Sequence, residues 1–148
     1  MRISRITLLF LILSSPIHAE VKMIPLNDYM KDQNMSDPNV LFYVSARCGA
    51  INFNMADLSQ NRKDLYERGS KVGETFSQMA VAVRQTIQPN DSAEENQRIA
   101  VESISEIANE YVSIMNENYP KTGTYFTDWM IDDLSTCSAF YNQATTEE

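Results

Sequence analysis

From Pro38 onward, apolar residues recur at alternating steps of three and four. Leu41, Val44, Cys48, Ile51, Met55 and Leu58 form one such series, the spacing of an inward-facing helical stripe. Asp37 can cap this helix, and Pro38 suits its first position, where a missing N–H costs nothing. Ser59-Gln60-Asn61 is polar and weakly helical, so the first bundle helix is predicted to break there. Leu65, Val72, Phe76, Met79, Val83 and Ile87 mark a second helix that ends at Pro89-Asn90. Ser92 with Glu95 is a capping-box pattern that opens a third, whose stripe is Ala100, Ile104, Ile107, Tyr111 and Ile114. Asn118, Pro120 and Gly123 are predicted to stop it. A fourth helix runs from about Tyr125 to Asn142, with Phe126, Met130, Leu134, Cys137 and Tyr141 inward and Trp129 beside them. Four amphipathic helices with short connections predict an all-α chain, an antiparallel up-down four-helix bundle over residues 37–143.

The ends read differently. Arg2 and Arg5, the apolar run Ile6–Leu13, the breaking Ser14-Ser15-Pro16 and the small Ala19 make up the three parts of a secretory signal peptide over residues 1–19. The apolar run is far shorter than the roughly 20 residues of a membrane span. Residues 20–36 form a lead-in with little periodicity and one short helix around Leu26–Lys31. Residues 144–148 read as a disordered tail. A periplasmic or secreted protein without a membrane span in its mature chain follows.

Removal of the signal changes the chemistry left to the chain. The sole histidine, His18, departs, and the loss of Arg2 and Arg5 takes the net charge from −8 to −10. Without histidine the Ser-His-Asp and Cys-His arrangements are closed, as are metal sites built on imidazole. No cofactor and no metal site is expected. The acidity opposes nucleic acid and anionic membrane surfaces and leaves room for a basic protein partner.

Cys48 and Cys137, in an oxidising compartment, are expected to pair. Cys48 lies about 15 Å up the first helix, and Cys137 about 18 Å down an antiparallel fourth, which brings both to about the same height. Each sits on an apolar stripe, so an interhelical disulfide fits the bundle. It would close a loop of 89 residues, worth on the order of 4–5 kcal/mol in the chain-entropy model.

Other candidates have plainer readings beside them. Glu102, Glu106, Glu110 and Glu117 make an acidic ladder opposite the apolar stripe of the third helix, suited to a basic partner or simply to solvent. Asp128, Asp132 and Asp133 cluster on a helix, which lacks the glycine turn of a calcium loop. Arg47, Arg84 and Arg98 can pair with acids or hold an anion, and isolated helical arginines are expected at the surface. Gly69 and Gly73 suggest close packing against a neighbour or a poorly formed first turn. Tyr43, Phe53, Tyr66, Tyr119, Tyr125 and Trp129 are expected as satellite core; exposed together, they would mark an interface. Asn34-Met35-Ser36 and Asn90-Asp91-Ser92 fit the glycosylation pattern.

The stretch Phe42-Tyr43-Val44-Ser45-Ala46-Arg47-Cys48-Gly49-Ala50 resembles a segment of short exported proteins of marine bacteria, which also carry a second cysteine near the C-terminus. The resemblance implies a bacterial periplasmic setting and brings no activity and no site residue. The expected function is that of a non-enzymatic protein-binding module. The alternatives are a carrier with an apolar cavity lined by Met55, Phe76, Met79 and Met115, and a hydrolase using paired carboxylates, which needs two acids converging in a cleft.

Overall fold

The computed structural model describes residues 23–146, so the expected signal peptide lies outside the described residues, as do the first residues of the lead-in and the last two of the tail. The described chain is all helical, with five helices: α1 (Leu26–Lys31), α2 (Pro38–Leu58), α3 (Lys63–Ile87), α4 (Ala93–Thr122) and α5 (Asp128–Thr146). Cys48 on α2 and Cys137 on α5 are bonded, with their Cα atoms 5.4 Å apart, inside the usual window.

The local signals explain most helix ends. The Asp37 carboxylate accepts the Asn39 N–H at 2.8 Å, and Pro38 occupies the first turn of α2. The Ser59 N–H closes back on the Ala56 carbonyl, and α2 and α3 are separate helices. Ser92 Oγ accepts the Glu95 N–H at 3.1 Å to start α4. The Glu95 carboxylate, however, is engaged by Arg98, one turn further along. Helix α4 also continues past Asn118 and through Pro120 to Thr122. A proline so near a helix end forgoes a single intrahelical bond, and the true stop is Gly123, whose φ of +77° suits glycine.

The arrangement departs from four equivalent one-sided helices. α2 packs against α3, α4 and α5, α3 also meets α4 and α5, and α1 rests on α5. Every residue from Val44 to Asn52 is buried, so α2 is enclosed on all sides rather than along one stripe. Its small residues Ser45, Ala46, Gly49 and Ala50 let neighbours close in. Its polar ones are satisfied inside: Asn52 Nδ2 donates to the Cys48 carbonyl at 2.9 Å and Asn54 Nδ2 to the Ala108 carbonyl at 3.0 Å. Polar side chains interleaved with small ones blur the stripe, which is why the sequence pattern reads α2 as half exposed. Leu58, placed inward by that pattern, is 45% exposed.

Gly69 and Gly73 are the close-packing device of the α2–α3 contact. A Cβ at position 69 would stand 2.9 Å from the Asn52 carbonyl oxygen, and one at position 73 would stand 2.8 Å from the Phe53 ring. Neither distance is tolerable without movement. Around this contact Ile51, Val72, Phe76, Ala80, Ala100, Ile104, Met115 and Met130 form one continuous core with the two cysteines.

Candidate functional site

The most unusual chemistry lies inside the protein. Arg47 precedes Cys48 on α2, and its side chain is fully buried. Its Nη2 donates to Asp133 Oδ2 at 2.6 Å, and its Nε donates to the Tyr111 hydroxyl at 2.8 Å and to Oδ2 at 3.1 Å. The Tyr111 hydroxyl in turn donates to Asp133 Oδ2 at 2.6 Å. The other carboxylate oxygen, Oδ1, accepts the Leu26 N–H at 2.7 Å, and Arg47 Nη2 also reaches the Ile24 carbonyl. Thus α2, α4, α5 and the segment leading into α1 all converge on one ion pair. The guanidinium also lies 5.7 Å from the Tyr111 ring centre and 5.8 Å from that of Trp129, within cation–π reach.

Burial opposes the charge on Arg47, but the facing Tyr111 and Asp133 more than offset it, and its pKa is raised. Burial likewise pushes the Tyr111 hydroxyl up, with Asp133 adding to the rise against the opposing pull of Arg47. Tyr111 therefore stays protonated and bridges the two charges. Removing two ions from water is costly unless their hydrogen bonds are made elsewhere, and here the carboxylate accepts from three groups. With all three side chains sealed from solvent, the cluster has no face left for a substrate. Its chemistry is structural.

Arg47 was expected at the surface, and its place here is a correction. The signal that could have found it is positional. Arg47 sits in the small-residue run Ala46-Arg47-Cys48-Gly49-Ala50, and Asp133 stands one helical turn before Cys137. Two cysteines brought together by a disulfide bring those two neighbours together as well. Arg84 and Arg98 do pair near the surface. Arg84 Nη2 meets Asp91 at 2.9 Å, while Arg98 meets Glu95 at 2.9 Å through Nε and Glu102 at 2.6 Å through Nη1.

The acidic ladder is where the pattern put it. Glu102, Glu106, Glu110 and Glu117 are all exposed on α4. A second exposed line runs about a quarter to a half of a turn around the helix from it. Val101, Val112 and Tyr119 are 47%, 40% and 46% exposed, and at about 100° per residue they fall within about 20° of each other on the helix. The buried residues Ala100, Ile104, Tyr111 and Met115 occupy the sector to one side of this line and the glutamates the sector to the other. The Tyr119 ring stacks on Tyr125 at 4.3 Å, and both are exposed, contrary to the satellite-core expectation for them. Tyr66 is exposed too, whereas Tyr43, Phe53 and Trp129 are half-buried.

The residues named for a carrier cavity fall into two groups. Phe76 and Met115 are packed in the core, and Met55 and Met79 are half-buried. Two shallow grooves cross the surface, one between α3 and α4 along Val81, Ala82 and Val101, the other between α3 and α5 along Arg68, Lys71 and Tyr141. None of the four lines either. Among the described residues no three His, Cys, Asp or Glu side chains are grouped to hold a metal ion, and no helix is long and apolar enough to cross a membrane. Asp128 and Asp132 face solvent while Asp133 turns inward. No protein-family model, curated protein or solved structure matches the chain.

Proposed function

We propose that the protein is a non-catalytic binding module of an oxidising compartment outside the cytoplasm, and that the outer face of α4 is its docking surface. The disulfide supports the compartment, since such bonds persist where thiols are not kept reduced. The observation that carries the binding role is the exposed ladder Glu102–Glu106–Glu110–Glu117 along the outward side of α4. The adjoining like charges at four-residue spacing weaken the isolated helix, and a cationic partner relieves that repulsion. Arg98 already neutralises the start of the ladder, which leaves Glu106, Glu110 and Glu117 as the stronger half.

The occupant that fits is a basic segment of another protein, its lysines or arginines over the glutamates. Titration of the labelled protein with a synthetic oligolysine peptide, followed by NMR, tests this. Shifts should concentrate on residues 102–117, weaken with added salt, and disappear in a variant carrying Glu106→Lys, Glu110→Lys and Glu117→Lys. Shifts centred elsewhere, or binding that survives charge reversal, would refute the assignment.

A further inference from the structure

Residues 23–31 have an unusual attachment. α1 is only six residues long, too short to hold its shape unaided. It is held by Asp133 Oδ1 on the Leu26 N–H, Arg47 on the Ile24 carbonyl, the buried Leu26 side chain, and Thr136 Oγ1 donating to Asn27 Oδ1 at 3.1 Å. Tyr29 adds a tilted ring contact with Tyr43 at 4.6 Å. Two of these attachments, on Asp133 and Thr136, lie on the turn of α5 next to Cys137, and two others, on Arg47 and Tyr43, lie on α2. Both bonded cysteines are fully buried.

We infer that residues 23–31 are a strap, latched by the Asp133 carboxylate, that decides whether an external dithiol can reach the Cys48–Cys137 bond. With the strap docked, a thiolate has no line of approach to either sulfur. With it released, the turn Asp133–Cys137 loses its cover while α2, α3 and α4 keep their mutual packing. The exchange is then ordinary. A thiolate of the dithiol attacks one cysteine sulfur, the S–S bond breaks, and the departing cysteine leaves as thiolate and takes a proton from water. The second thiol, after losing its proton, attacks the mixed disulfide and frees the other cysteine. The dithiol is oxidised to its cyclic disulfide and the protein's pair is reduced. A protein that draws the strap away would thereby make a closed bond exchangeable.

The test is the rate of reduction of the folded protein by dithiothreitol, followed by alkylation and mass spectrometry. Leu26→Ala leaves the ion pair in place and weakens only the strap, so reduction should accelerate at least tenfold with an unchanged helical circular dichroism spectrum. Asp133→Asn should accelerate it as well. Ile104→Val, a core change away from the strap, should alter the rate no more than about twofold. The inference is overturned if folded Leu26→Ala is reduced at the wild-type rate, if Ile104→Val accelerates reduction as much, or if Leu26→Ala loses its helical spectrum. The last result would make the segment an integral part of the core.

Discussion

Arg47 and Arg98 invite comparison because each is gripped by acidic partners through several hydrogen bonds. Arg98 holds Glu95 and Glu102 on the surface of α4, with its side chain 51% exposed. Arg47 holds Asp133, Tyr111 and a backbone carbonyl with no exposure at all. Their geometries are of similar quality and their consequences differ. Water competes for every bond Arg98 makes, and dissolved salt screens its charges. Arg98 helps one helix hold its own surface. Arg47 has exchanged its water for groups on three other segments, so each partner depends on all the others being in place. It therefore specifies which segments meet.

The sharpest way to break this contrast is Arg47→Met. It leaves the Asp133 carboxylate buried beside Tyr111 without a counter-charge, and such losses cost about 3–5 kcal/mol. Chemical denaturation should show the midpoint falling accordingly. Tyr111→Phe should cost less, about 1–3 kcal/mol, because it removes one bridging hydroxyl and leaves the ion pair. Its effect should also depend on pH. Burial holds the folded Tyr111 pKa above the ordinary value, so this residue's contribution is complete below about pH 10. Above that, the unfolded chain sheds a proton that the folded chain retains, and stability falls. The gap between wild type and Tyr111→Phe should therefore narrow as pH rises past that point. The smallest effect belongs to Arg98→Ala, which should leave the melting temperature within experimental scatter at physiological salt. A large loss there would erase the distinction between the two arginines.

The helices themselves were legible because their ends and stripes are local properties. Asp37-Pro38, the polar break at residues 59–61, and Ser92 with Glu95 each act within a turn of themselves. The disulfide was legible because two cysteines on inward stripes at matching heights have few alternatives. The short helix at Leu26–Lys31 was legible too, although its docking was not, since Leu26 is held by a carboxylate 107 positions away. The ion pair was legible only through the disulfide: Arg47 and Asp133 each lie within a helical turn of a bonded cysteine, and no charge pattern local to either residue marks it as buried. The enclosure of α2 was masked by Ser45, Asn52 and Asn54, which read as solvent-facing until their partners are known. The proposed docking face was visible as an acidic ladder, whereas the exposure of Val101, Val112 and Tyr119 depends on what the other helices leave uncovered.

A double-mutant cycle on Arg47→Met and Asp133→Leu, read by equilibrium denaturation, bears most directly on the claim that the buried pair acts as one unit joining α2, α5 and the N-terminal segment. Each single change should destabilise strongly, and the double change should cost no more than either alone, because neither charge is then left behind. Additive losses would mean that the two residues act separately, and the interior clamp would have to be abandoned.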